Sequence, residues 1–489
     1  MTIVSNLPIY AMLVSFLTIF PIIIFGKNQN VREVFTFIAA FTKLYILFNL
    51  AKFVLDGNVV VCKLIQVLSF ISIDFKVDGF GMLLAIVASS LWIVTSLYSI
   101  GYMRSLKEHA QTRYFCCFAL ALSATMGVAF SANLLTMYLF YELLSLSTYP
   151  LVTHNQDQDA RTGGRKYLTY LLGTSIGLVL PAMIITYNLT GTLSFNEMGI
   201  FGNSIQIGTL TILLIMYLFG FAKAGLLPFH SWLPGAMVAP TPVSSLLHAV
   251  AVVKVGVFCI VRILTQIFGI NLLSSTHLGT IVCVIAGLTV LVSSLVAISQ
   301  DNLKRLLAFS TIGQLGYIVL AAGVASKLSV TGSMLHISMH AFGKITLFFC
   351  AGAIYVATGK KYISQMVGIG RRMPFTMVAF FIGSLSIIGL PLAGGFLSKW
   401  YMVLGTLDVG KSWVMVIYLI SSFLNVAYFF PIIYKAFFCT DNESLFPNEI
   451  KEAPLAALLP PLVTASITVA LFIFPDIFLN LAKIVVGVN

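Results

Sequence analysis

Residues 220–254 read GFAKAGLLPFHSWLPGAMVAPTPVSSLLHAVAVVK. The stretch is apolar enough to lie in a bilayer, yet it holds Lys223, His230, His248 and Lys254, and Pro228, Pro234, Pro240 and Pro242 break it. A lysine at mid-membrane depth costs about 2.5–3.5 kcal/mol on insertion scales, so such residues face a bundle interior or water and mark routes for charge. Prolines at that depth free backbone carbonyls, which only protein or water can satisfy. A broken apolar segment with two lysines predicts part of an ion pathway.

Composition sets the class. Of 489 residues, 59% are hydrophobic and 9% charged, with a mean hydropathy of +1.00. That excludes a soluble domain and predicts an all-α polytopic membrane protein. At about 20 residues per span, the length allows roughly 14 transmembrane helices. The net charge of +12 does not indicate nucleic acid, because the basic residues sit in short loops between apolar runs. The seven cysteines form no CxxC pair, so neither a zinc nor an iron–sulfur set is expected. No phosphate-binding glycine loop is present, and no cofactor is expected. The first apolar run lacks a basic leader and reads as a retained helix.

Apolar runs place helices at 7–25, 33–55, 80–101, 113–130, 132–152, 166–188, 207–227, 242–263, 276–299, 304–324, 330–357, 374–391 continuing to 405, 413–437 and 455–482. The run at 229–241 reads as the second half of a discontinuous seventh helix. Pro391, Gly394 and Gly395 break the twelfth. Sixteen Lys and Arg in one set of alternate loops face six in the other. The richer set belongs in the cytoplasm, which puts both termini outside and requires an even number of spans. Loops are short throughout, so residues 1–489 read as one membrane domain in the lipid bilayer. Breaks five helices apart suggest inverted repeats over about 113–263 and 276–437, the usual pointer to a transport site.

Glu142, in NLLTMYLFYELLSLSTYP, is the only Asp, Glu, Lys, Arg or His between Arg113 and His154. Lys223 is its candidate partner, and pairing would couple their protonation; the rival reading is a structural ion pair. His248 lies six residues before Lys254, about 240° around a helix, so the two need not share a face; it reads as a relay group or as a neutral histidine bonded within the core. His230, beside Pro228, reads as a lining residue or a cap. In SMLHISMHAFGKITLFF, His336, His340 and Lys344 recur every four residues and form one stripe. Groups about 6 Å apart along a helix suit proton relay through water. Zinc is the rival for the two histidines, but no carboxylate or cysteine nearby completes a set. Lys399, in GLPLAGGFLSKWYM, is the only charge between Arg372 and Asp408 and follows the second break.

These motifs, with DNLKRLLAFSTIGQLGYI, resemble the antiporter-like proton-translocating subunits. That group includes complex I chains 2, 4 and 5 and the large subunits of multisubunit sodium/proton antiporters. The similarity runs from about residue 80 to 440. It implies fourteen helices, two inverted five-helix repeats and discontinuous helices seven and twelve. It also implies a Glu142–Lys223 pair near a cytoplasmic half-channel, Lys254 at the centre and Lys399 toward the outer half-channel. Lys399 stands where chain 4 usually carries glutamate, and the length of the sequence leads to no expectation of the long lateral helix typical of chain 5. What remains resembles the D-type large chain of the cation/proton antiporters, or chain 2 of complex I.

The expected function is proton translocation by a subunit of a larger complex in the bacterial inner membrane. Its partners are other membrane subunits, and its cargo is the proton, with sodium an open addition. The chain carries no redox centre of its own, even if it serves an NADH:quinone oxidoreductase. A stand-alone secondary transporter and a non-conducting scaffold are the rival readings.

Overall fold

In the computed structural model, residues 2–68, 71–202, 204–246, 251–439 and 450–487 are described. The longer helices, in chain order, are α1 (Leu7–Ile24), α2 (Gln29–Leu55), α3 (Gly79–Ser105), α4 (Gln111–Ala129), α5 (Leu134–Val152) and α6 (Gln158–Thr190). Next come α7 (Ile207–Gly220), α8 (Val252–Ser275), α9 (Leu278–Ile298), α10 (Leu303–Val324) and α11 (Lys327–Thr358). The last are α12 (Pro374–Ile388), α13 (Gly394–Asp408), α14 (Ser412–Phe438), α15 (Leu455–Ile473) and α16 (Asp476–Val486). Among the described residues, eleven helices are long and apolar enough to cross a membrane, which makes this a multi-pass membrane protein.

The helices start where short polar side chains can replace the missing turn. Asn28, Asp78, Asn133, Asp157, Asn302 and Ser326 each accept a hydrogen bond from the backbone N–H three residues on. α7 and α12 are apolar but have only 14 and 15 residues. Beyond α7 the chain makes a tight turn at Ala222–Ala224 and leaves it through Gly225, whose φ of 66° suits glycine. Beyond α12, Gly389 at φ 87° reverses the backbone, and α13 starts five residues later.

The run at 229–241 is not the second half of a helix. It holds only the short pieces Trp232–Gly235 and Ala236–Val238. Pro228, Pro234 and Pro240 each lack the N–H that a continuing helix needs, so the segment stays irregular inside the bundle. The stretch expected at 455–482 is also divided, at Phe474 and Pro475. The all-α expectation misses a three-stranded sheet, β1 (Thr2–Val4), β2 (Val59–Leu68) and β3 (Ile71–Val77). β1 runs parallel to β2, and β3 antiparallel to it. Val60, Cys62, Phe75 and Val77 face inward, but a short valine run between two predicted helices carries no period by which to recognise it.

α11 is the axis of the second half. It packs against α3, α10, α12, α13, α15 and α16, and all its residues from Ser329 to Ile354 are buried. α8 is tied to the start of α3 by an ion pair, with Arg262 donating to both Asp78 oxygens and to Gln266. Two turns earlier, Gly256 lies directly on the Lys223–Ala224 backbone, so a Cβ there would collide with main chain that cannot move aside. Gly256→Val is expected to destabilise the protein by about 1–3 kcal/mol, as overpacking does. A lower melting temperature of the detergent-solubilised protein would register it, and an unchanged one would refute the contact.

Candidate functional site

The Lys223 turn places a fully buried amine against α5. Lys223 Nζ donates to the Tyr141 carbonyl at 2.8 Å and to Ser145 Oγ at 2.6 Å, and it lies 3.0 Å from the centre of the Tyr141 ring. Glu142 is the next residue of α5, yet among the described residues it forms no ion pair within 4.0 Å of Lys223. Both its carboxylate oxygens are buried without a hydrogen bond of good geometry. The Lys223 charge and the Ser175 hydroxyl act on it from nearby. Ser175 opens a wide π-type turn in α6, Ser175–Val179, which fits against Gly220 at the end of α7. Such turns often occur at functional sites.

Lys254, on α8, is fully buried and in direct hydrogen-bond contact with His340 Nδ1. His340 Nε2 is buried and unbonded. One turn back on α11, the His336 ring stacks 5.7 Å from that of His340. His336 Nε2 donates to Gln314 Oε1 at 3.1 Å, and its Nδ1 pairs with Ser398 Oγ at 2.8 Å. Ser398 is the neighbour of Lys399 on α13.

One turn forward, Lys344 Nζ donates to Ser310 Oγ at 2.8 Å. Tyr428 OH bridges Ser310 Oγ at 2.9 Å and Asn425 Oδ1 at 2.6 Å. Asn425 Nδ2 reaches the Ile387 carbonyl at 3.4 Å, which also accepts from Lys399 Nζ at 2.8 Å. Ile388 supplies Lys399 with a second carbonyl at 3.0 Å. Lys399 Nζ thus sits at the carbonyl end of the half-helix α12, where the helix dipole would favour its charged form. One chain of hydrogen bonds therefore joins Lys344 to Lys399, by Ser310, Tyr428, Asn425 and the Ile387 carbonyl, while His336 reaches Ser398, the residue before Lys399 on α13.

Six of the sequence candidates, Lys223, Lys254, His336, His340, Lys344 and Lys399, are buried in the bundle, and the last five lie in one connected group. Glu142 and Lys223 come near each other without touching. His230 is half-buried, with Nδ1 unbonded, on the wall of a cavity of about 710 Å³ also lined by Lys166, Lys304, Lys360 and Glu108. His248 lies outside the described residues. In the loop after α5, burial and the nearby His109 and Arg113 push the His154 imidazole down to about 4, so it is neutral. Sequence reading missed Ser145, Ser310, Gln314, Ser398, Asn425 and Tyr428. The weak signal was an uncharged polar residue one or two helical turns from a buried lysine or its partner. Lys43 was missed too, a fully buried lysine on α2 that bonds Ser15 Oγ at 2.6 Å.

A lysine-and-histidine line through broken helices invites comparison with known transport proteins. The model of the family described as NADH:quinone oxidoreductase/Mrp antiporter, transmembrane, matches residues 131–425. The chain belongs to this family. Within it, the chain is 33% identical to NADH-quinone oxidoreductase subunit N of Desulforudis audaxviator (strain MP104C) over 378 residues, 75% of this chain and 73% of the relative. It is 30% identical to Na(+)/H(+) antiporter subunit A1 of Staphylococcus haemolyticus (strain JCSC1435) over 451 residues, 86% of this chain and 55% of the relative. The chain therefore spans little more than half of that relative's length. The same fold occurs in a chain of the membrane-bound sulfane sulfur reductase, an archaeal respiratory membrane complex, with a TM-score of 0.86 and 24% identity over 99% of this chain and 97% of the other. It also occurs in a chain of the Mrp complex from Dietzia sp. DQ12-45-1b, with a TM-score of 0.84 and 21% identity over 98% of this chain and 97% of the other. Both structural neighbours are chains of larger complexes.

Proposed function

We propose that the chain is a proton-translocating subunit of a multisubunit complex in a bacterial inner membrane, with other membrane subunits as partners. The observation that carries this reading is the buried line from Lys254 through His340 and His336 to Ser398, next to Lys399 on α13. Four titratable groups in one hydrophobic core gain nothing as packing, since burying a charge costs free energy unless it is paired, and such residues in membrane spans mark pathways for ions. In the proposed cycle, a proton taken up from the cytoplasmic side changes the charge on Glu142 and its field on Lys223. The shifted field moves charge along Lys254, the histidines and Lys344 and releases it past Lys399. His230, on the cavity wall, belongs to the entry side.

The proposed topology is fourteen spans in two inverted five-helix repeats, with both termini outside the cytoplasm. Two features support it. α7 and α12 are both short apolar helices, and each is followed by a break and a buried lysine. Lys166, Lys304 and Lys360 gather at one cavity, as the positive-inside rule asks of a cytoplasmic face. Lys399 favours the D-type antiporter chain or chain 2 over chain 4 within the family, and sodium is a candidate counter-ion.

The test uses inverted membrane vesicles containing the chain with its native complex. A pre-formed proton gradient collapses when sodium is added if the complex is an antiporter, or builds on adding NADH if it serves an oxidoreductase. A purified lone chain that transports in liposomes at the rate of the complex would instead favour a stand-alone transporter. Tyr428→Phe removes one bridge between Lys344 and Lys399 and leaves the His336 route. The loss of one hydrogen bond, about 1 kcal/mol, predicts a transport rate reduced roughly fivefold. An unchanged rate would remove Tyr428 from the path.

A further inference from the structure

A second cluster of ligating side chains lies away from the lysine line, where the loop after α3 meets the loop after α5. Glu108, His109 and His154 each offer one ligand atom, and these atoms lie within 4.8 Å of one another. His154 Nε2 stands 3.9 Å from Glu108 Oε2, and the His109 and His154 rings are 4.7 Å apart between centroids. The His154 side chain is fully buried, yet neither ring nitrogen has a hydrogen bond of good geometry among the described residues. Its carbonyl, by contrast, is engaged, accepting from Arg113 Nη2 at 3.1 Å. A buried imidazole left unsatisfied costs about 1–3 kcal/mol, which calls for a ligand or a function.

We infer that Glu108, His109 and His154 bind a zinc-class divalent cation at the rim of the 710 Å³ cavity, and that its occupation slows ion entry. Two imidazoles and a carboxylate are a common zinc set, with water completing the tetrahedron. Bonds of about 2.0–2.1 Å require the three atoms to draw closer than they stand. His109 is exposed and can swing inward, while His154 is held by its packing. The Glu108 carboxylate offsets the cation's charge beside Arg113. Glu108 also lines the cavity that holds His230, so a bound cation places positive charge at the mouth through which a proton would enter. The set was illegible in the sequence, because His154 is remote in the chain from the other two.

Binding is tested apart from transport. The full chain in its native complex is equilibrated with zinc chloride, and retained zinc is counted by elemental analysis. Cobalt(II) in place of zinc reports four-coordinate geometry through its visible absorption. One tightly held zinc per chain is expected, with affinity reduced roughly tenfold or more in His109→Ala and in His154→Gln. His277→Ala, an exposed histidine elsewhere, leaves it unchanged. Zinc is then expected to slow transport in vesicles carrying the unaltered chain and not in those carrying His109→Ala, whose rate without zinc is normal. No retained zinc, or equal retention in the His109 and His154 variants, overturns the site; His109→Ala guards against a folding defect in the buried variant. Bound zinc with no slowing overturns the gating. The slowing rests on the function proposed above and the binding does not, so a complex that holds zinc but never moves protons sinks that function alone.

Discussion

Glu142→Ala is expected to abolish ion translocation while leaving the protein assembled. The side chain is half-buried, and its oxygens accept no hydrogen bond of good geometry, so truncation strands no donor. Lys223 keeps its bonds to the Tyr141 carbonyl and Ser145 Oγ. What disappears is a titratable charge close enough to act on Lys223. The expected loss is roughly a hundredfold or more, the scale of a positioned proton-transfer group. Glu142→Gln keeps the shape and is expected to lose as much, which separates charge from packing. The measurement is the rate of gradient collapse in vesicles, with assembly checked on native gels. Transport at the normal rate in either variant would sink the role of Glu142.

The rival reading, a structural ion pair, makes the opposite prediction, and the protein supplies its own standard for one. Arg262 and Asp78 are in direct contact, with both carboxylate oxygens engaged and Gln266 adding a further bond. A pair built to hold helices together looks like that. Glu142 and Lys223 keep apart, each able to change its charge without breaking a contact. Removing one member of the Arg262–Asp78 pair should therefore cost assembly, on the order of 3–5 kcal/mol, and removing Glu142 should not.

The same contrast explains what the sequence could and could not reveal. Isolated charges in apolar runs are visible from composition alone, because the energetic cost of Lys254 or Lys399 in lipid is large and local. The four-residue spacing of His336, His340 and Lys344 likewise survives translation into a helix, whose period is fixed. That the helices break near Pro228 and Pro391 was legible because proline and glycine act on their own backbone, although the turns themselves fall at Ala222–Gly225 and at Gly389. The irregular course of 221–241 was less so, since three prolines admit several conformations and only the packing of Gly256 and Trp232 selects one. Ser310, Asn425 and Tyr428 escaped notice because a hydroxyl or amide in an apolar helix is common and inexpensive. Their significance comes from partners on other helices, brought together only by the fold. The sheet escaped for the related reason that three short strands, two of them far from the first in sequence, pair by tertiary contact.

The largest test of the central line is the Lys254–His340 contact. Lys254→Ala should reduce transport roughly a hundredfold, again the scale of a positioned proton-transfer group. His340→Ala should cost about as much, because it removes both the partner of Lys254 and the link by stacking to His336. The informative result is the double variant. Groups that act as one unit are strongly non-additive, so the double change should be no slower than the worse single one. Independent contributions would instead multiply, giving a loss near ten-thousandfold if each were a hundredfold. His340 Nε2 sharpens the argument, because a buried nitrogen left unbonded is a poor choice for structure and a good one for a proton in transit. If it served structure alone, His340→Leu would keep transport and cost about 1–3 kcal/mol of stability, because it strands the buried Lys254 amine. A His340→Leu protein that transports at the normal rate would remove the histidine stripe from the path and leave Lys254 without a route to Lys399.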